Sequence, residues 1–190
     1  MRFTYLTAAA VALIPGIAAA QQPAPAPPAP APVANPVATA FRDNAQKMAK
    51  NLIAAAEQVP AGKYSYKPTP AQMTFGQIVV HLAEGNDFLC GAIAGQKAPD
   101  RSKIAATDSK ETLVARLKET FAFCDQALGT VDDSKLAEQL PMFGGRTMTR
   151  AAVMTLTTGD WADHYSQFAN YMRLNGMLPP TALPRPSRGN

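Results

Sequence analysis

The stretch TRAAVMTLTTGDWADHYSQFANYMRLNGMLPP, Thr149 to Pro180, decides the fold and reads as the longest helix of the chain. At 100° per residue, Val153, Leu156, Asp160, His164, Gln167, Tyr171 and Leu174 fall within one arc, so the spacing embeds a polar pair in an apolar stripe. Thr149, following Gly144-Gly145, is the expected N-cap. The stop is sharper. Gly176 fits the C′ position, Met177 fits the C″ hydrophobic contact, and Pro179-Pro180 forbid continuation. Arg173 suits the negative C-terminal end. Thr155, Thr157, Thr158 and Gly159 are weak helix formers, and a glycine there costs about 1 kcal/mol relative to alanine. Gly159 has three readings: a neighbouring helix packs close, the residue leaves room beside Asp160, or the helix restarts near Asp160.

Asp160 and His164 stand four apart and share one helical face. The chain has two histidines, and the other, His81, lies in a second helical stretch. Two histidines and a carboxylate on two helices can form a three-ligand metal site with an open position. Without a metal, Asp160 and His164 are an i,i+4 pair worth about 0.2–0.5 kcal/mol. Glu84 and Asp163 are nearby but are expected on other faces.

Three more helices follow from apolar spacing. Ala38 to Val59 carries Phe41, Ala45, Met48, Leu52, Ala56 and Val59 on one face, and Pro60-Ala61-Gly62 stops it. The loop KYSYKPTPAQM, with Pro68 and Pro70, cannot be helical. Its Tyr64 and Tyr66 either cover the core or line a pocket mouth. Thr74 to Ala94 opens with a capping box, Thr74 and Gln77. Its stripe is Phe75, Ile78, Val79, Leu82 and Leu89, with His81, Phe88 and Ala92 at one edge. Ser109 to Leu128 carries Leu113, Leu117, Phe121, Cys124 and Leu128. Asp133 to Leu140 has room for one short turn, and Pro141 to Arg146 reads as a loop.

Four amphipathic helices and no alternating strand pattern predict an all-α four-helix bundle. The connection between helices two and three is about 13 residues, longer than antiparallel neighbours need. Thirteen extended residues reach about 43 Å, and a 20-residue helix is about 30 Å long. The connection can therefore cross back along the bundle, leaving helices two and three parallel in an up-down-down-up order. Cys90 and Cys124 each lie four or five residues before the end of their helix, level in a parallel pair. They are either a disulfide, in an exported chain, or two buried thiols.

Residues 1–20 have the pattern of a secretory signal: Arg2, an apolar run from Leu6 to Ile17, and Ala18-Ala19-Ala20. That run is short for a membrane span, and no later segment is long and apolar enough for one. The expectation is export to the periplasm or beyond, with a mature chain beginning near Gln21. Residues 21–37 form a Pro/Ala-rich linker, and QQPAPAPPAPAPVANP holds seven prolines and no charge. Residues 38–180 suffice for one domain with one core, and 181–190 read as a disordered tail. The formal net charge is +4, and cleavage after Ala20 would remove Arg2. That mild charge, without a basic cluster interleaved with aromatics, gives no support to nucleic-acid binding.

Two segments, KYSYKPTPAQMTFGQIVVHLAEGNDFLC and DHYSQFANYMRLNGMLPP, resemble the DinB-like family of four-helix bundles, and the likeness runs over about residues 38 to 180. The resemblance implies an up-down-down-up bundle. It also implies a divalent metal, zinc or nickel first and manganese or iron as alternatives, held by three histidines. His81 matches the histidine of helix two and His164 the second of a His-x-x-x-His pair. Asp160 stands where the family has the first, so the set becomes His81, Asp160 and His164. Small-molecule chemistry is implied with it, as a metal-dependent hydrolase or a thiol transferase, and a homodimer is common among such proteins. The other reading is a non-catalytic exported binding or stress-associated bundle whose His/Asp trio is structural.

Overall fold

The computed structural model describes residues 33–184. The signal-like segment, most of the linker and the last six residues of the tail lie outside them. Four helices dominate: α1 (Pro36–Gln58), α2 (Phe75–Ala94), α3 (Lys110–Leu128) and α4 (Arg150–Leu174). Each start has a stated cause. Pro36 opens α1 with its fixed φ, and the carboxylate of Asp133 accepts from the free amides of Val37 and Ala38. Thr74 and Gln77 form the reciprocal capping box of α2. Ser109 caps α3 and Thr149 caps α4 through N–H groups three residues on. The C-terminus of α4 is a Schellman motif: Gly176 N–H bonds the Arg173 carbonyl, Met177 N–H bonds that of Met172, and Gly176 has φ 72°.

The helices pack around a square in which α1 and α2 each neighbour α3 and α4. Helix α4 runs antiparallel to α2: Phe75 meets Phe168 and Tyr171 at one end, and Asn86 meets Trp161 further along. Helices α2 and α3 are parallel, with Cys90 and Cys124 near the same ends and their Cα atoms 5.2 Å apart. Lys110 reaches the Glu57 carbonyl, so α3 begins where α1 ends. The order is up-down-down-up. The connection from α2 to α3 makes the long crossing and is tied down by Arg101, which bonds Asp87 on α2 and Glu119 on α3. Arg116 holds Ser102 of the same crossing.

The apolar faces expected for α1 and α3 are buried throughout: Phe41, Ala45, Met48, Leu52, Ala56 and Val59 on one, Leu113, Leu117, Phe121, Cys124 and Leu128 on the other. Fully burying a Leu or Phe side chain is worth about 1.5–3 kcal/mol, so these stripes supply most of the cohesion. Tyr64 is also core. Its hydroxyl donates to the Ala56 carbonyl, and burial, with Glu111 and Glu57 adding to it, pushes its pKa well up. Tyr66 packs on Phe75 and Tyr171.

Three details differ from expectation, and one of the three readings of Gly159 is excluded. Of the stripe expected for α4, Val153, His164 and Tyr171 are buried, but Leu174 is 64 % exposed, and Met154, Thr157, Trp161, Phe168 and Met172 complete the buried line. The bulk of Trp161 and Phe168 turns the helix so that Asp160 lies at the margin of the core. Helix α4 is continuous through Gly159, so it does not restart at Asp160. Residues 139–149 hold a small antiparallel hairpin, β1 (Gln139–Pro141) with β2 (Thr147–Thr149), Leu140 opposite Met148. Strands of three residues are too short to show alternation, and Gly144 and Gly145, with φ of 69° and 71°, make the turn. Finally, the start of the tail is ordered: Pro180–Ala182 forms a 3-10 turn, and Thr181 exchanges hydrogen bonds with the Tyr165 hydroxyl.

Candidate metal centre

His81 projects from the second turn of α2, at the edge that faces α4. Asp160 and His164 come from consecutive turns of α4 opposite it. The antiparallel crossing brings all three together. His81 Nε2 and His164 Nε2 each stand 3.4 Å from Asp160 Oδ1, and one donor atom of every member lies within 4.8 Å of the others. The two rings meet edge to face with centroids 4.6 Å apart. Two ligands at about 2.1 Å on a tetrahedral zinc ion stand about 3.4 Å from each other, so the two nitrogen–oxygen spacings already suit one ion. The donor set of two imidazoles and a carboxylate suits zinc, nickel, manganese or iron(II).

Burial is graded across the trio. The side chains of His164, Asp160 and His81 are 7 %, 24 % and 49 % exposed. The site is thus anchored in the core at one end and open at the other. Burial alone would raise the Asp160 carboxyl pKa. Hydrogen bonds and charge from His164, and then from His81, outweigh it and hold the group below the usual carboxylate range. The stability this gives is present above the unfolded aspartate pKa and is lost as pH falls through the lowered folded value. One buried atom, His164 Nδ1, has no hydrogen-bond partner among the described residues.

The open side of the trio faces a cleft of about 570 Å³ lined by His81, Glu84, Gly85 and Phe88 of α2 and by Leu156, Gly159, Asp160 and Asp163 of α4, with Leu89 and Phe143. Glu84 and Asp163 therefore do not sit on other faces. Residues 81, 84, 85 and 88 follow an i, i+3, i+4, i+7 pattern, and so do 156, 159, 160 and 163. Each set is one helical face, and that pattern was available in the sequence. Of the three readings of Gly159, space beside the site is the one the structure favours: a Cβ built there meets nothing within 4 Å.

The core under the centre is held by a polar bridge that sequence reasoning missed. Trp161 Nε1 donates to Asn86 Oδ1 at 2.8 Å, and Asn86 Nδ2 donates to Thr120 Oγ1 at 3.2 Å. All three are buried. The bridge joins α4, α2 and α3 one residue from Asp160. Asn86 lying in phase with Leu82 and Leu89 was the available signal. Cys90 and Cys124, a further turn along, are bonded to each other and buried.

Fold and donor set together define a class: an up-down-down-up helical bundle with a His/Asp/His cluster on the α2–α4 seam. The sequence matches the model of the DinB superfamily over residues 44–168, more than half of its length, and the chain belongs to that superfamily. Two solved structures share the fold. A DinB-like protein from Bacillus subtilis is 20% identical, with a TM-score of 0.61 over 77% of this chain and 96% of its own. A DinB-like protein from Bacillus cereus is 17% identical, with a TM-score of 0.63 over 75% and 95%. No curated protein matches the sequence at a significant level.

Proposed function

We propose that this DinB-superfamily chain holds one divalent metal, zinc or nickel first, through His81, Asp160 and His164, and acts on a small molecule in the adjoining cleft. The observation that carries the reading is the meeting of the three donor groups at the edge of a cleft rather than deep in the core. When bound, such an ion supplies Lewis acidity and lowers the pKa of an oxygen or sulfur donor beside it. The chain's own residues do the rest. His164, packed in the core, fixes the height of the site. Asp160 balances charge and orients both imidazoles. His81 supplies the donor on the solvent side. Glu84 and Asp163 place carboxylates within the same cleft, where they can accept or return a proton.

The signal-like segment and the Cys90–Cys124 disulfide support an exported protein, because disulfides persist in oxidising compartments. Export also separates the chain from cytoplasmic thiols. N-terminal sequencing of exported material should begin near Gln21, and an intact Met1 on a cytoplasmic chain would reject export.

The test of the centre is metal analysis of the purified full chain, before and after chelation and reloading with zinc, nickel or manganese. About one metal per chain is expected, and none in His81→Ala or His164→Ala. The unpartnered His164 Nδ1 favours a second reading, because metal-bound histidines nearly always donate their other N–H to an acceptor. In that reading the bundle is a non-catalytic exported module in which Asp160 bridges two histidines. Wild-type protein that stays metal-free when offered all three ions would establish it.

A further inference from the structure

The cleft beside the trio has a chemical bias that the metal set alone does not convey. Its lining contains three carboxylates, Glu84, Asp160 and Asp163, and neither lysine nor arginine. Arg146 approaches only as far as the Phe143 ring, 4.9 Å from the centroid, and is not part of the lining. A divalent cation on the trio would offset two of the three negative charges and leave an excess of one. The remaining walls are apolar. Phe88 and Phe143 stand at the rim with centroids 6.2 Å apart, and they are 45 % and 51 % exposed. Leu89 and Leu156 complete the apolar surface. Two large aromatics left half in water, packed against each other at the mouth of a cavity of small-molecule size, are surface that a ligand would cover.

From this juxtaposition we infer that the cleft takes a small amine: a molecule with a flat apolar body, laid against the Phe88–Phe143 pair, and a cationic end directed at Glu84 and Asp163. The inference rests on reading this cleft as the ligand side of the His81/Asp160/His164 centre. A protonated amine gains from both carboxylates and from the aromatic faces. A ligand carrying its own carboxylate is repelled by the same groups, which sets acidic thiols and organic acids at a disadvantage here. The neighbouring cavity of about 630 Å³ is mixed in charge: Lys97, Arg101, Lys103 and Arg116 line it together with Glu84, Asp87 and Asp100, and it shares Glu84 and Phe88 with the first. The cleft beside the trio differs from it in having no basic residue in its lining.

Three probes of one shape decide the matter: 2-phenylethylammonium, 2-phenylethanol and 3-phenylpropionate, titrated into the full chain and followed by protein NMR shifts. The deciding comparison uses metal-free protein, in which a carboxylate probe cannot gain by coordination. The ammonium probe is expected to bind roughly tenfold tighter than the carboxylate, with the alcohol between them, and added salt should narrow the gap. Glu84→Gln combined with Asp163→Asn should bring the three probes to within about twofold of one another. Both residues are exposed, so an unchanged helical signal is expected in the variant. Phe88→Ala should weaken all three probes alike. An equal or tighter carboxylate probe, an ammonium preference that survives the double variant, or no binding by any probe would each overturn the inference. Metal analysis separates the two proposals. An ammonium preference in a protein that never binds zinc removes the metal reading alone, whereas a zinc-binding protein that prefers the anion removes the amine reading alone.

Discussion

The two sides of α2 are built on opposite plans. Toward α3 the helix is crosslinked: Cys90 is bonded to Cys124, Asn86 bonds Thr120, and Asp87 reaches Glu119 through Arg101. Toward α4 it is open. His81 and Phe88 are half in water, and Gly85 and Gly159 leave space rather than fill it. The same helix thus carries a crosslinked side that holds the fold and a loosely packed side that carries the candidate centre. A group that must exchange ligands has to keep solvent access, and the loss of packing is offset by the closed side.

The largest expected effect breaks the open side alone. His164→Ala should remove metal binding altogether while leaving most of the helical signal. The core line of α4 retains Trp161, Phe168 and Met172, all fully buried. Metal content and far-ultraviolet circular dichroism, measured on the same sample, check this. A variant that unfolds would show instead that the histidine belongs to the structural side. Next comes the closed side. Replacing Cys90 and Cys124 together by alanine should cost about 3–4 kcal/mol in urea unfolding, since the bond closes a loop of 34 residues. Metal affinity, in contrast, should change little. A strong loss of metal in that variant would mean that the two sides are coupled.

The closed side was easier to read in the sequence than the open one. The apolar stripes of α1, α2 and α3, the Thr74–Gln77 box and the Gly176 stop are local signals, and each appears in the structure where its chemistry required. The parallel α2–α3 pair followed from the reach of the crossing. His81, Asp160 and His164 were legible because two histidines leave few combinations. Glu84 and Asp163 were not, because a helical wheel drawn for one helix does not show which margin its neighbour leaves uncovered. Only the antiparallel crossing of α2 and α4 sets 81/84/85/88 against 156/159/160/163. The phase of α4 was misjudged for a related reason. Counting apolar residues equally let Leu156 and Leu174 weigh as much as Trp161 and Phe168, whereas the larger rings decide which face turns inward.

The bridge between the two sides gives a smaller effect. Asn86→Ala leaves the Trp161 N–H buried without an acceptor, and such an orphaned donor costs about 1–3 kcal/mol. Trp161→Phe removes the donor too, so the double variant should be less destabilised than the two single losses added together. A double-mutant cycle in urea measures that coupling. Strict additivity would show that the 2.8 Å bond seen between them contributes nothing specific.

The finest test uses two glycines of α2, six residues apart, one under the start of the crossing and one facing α4. At Gly91 an added Cβ would come within 2.7 Å of the Gln96 carbonyl oxygen, where the crossing leaves the helix. That oxygen is backbone and cannot swing away, so Gly91→Ala must displace the loop and is expected to lose about 1–3 kcal/mol as overpacking does. At Gly85 the nearest atom to an added Cβ is Asp160 Oδ2 at 4.0 Å, an ordinary contact. Gly85→Ala therefore keeps the helix-propensity gain of alanine over glycine, about 0.5–1 kcal/mol, with no clash to cancel it. The two substitutions are chemically identical and lie on one helix, so opposite signs in urea unfolding can come only from what each side packs against. Equal losses at both positions would mean that the α4 side is as tightly filled as the side covered by the crossing. The distinction between a closed structural side and an open chemical side would then fail at its most sensitive point.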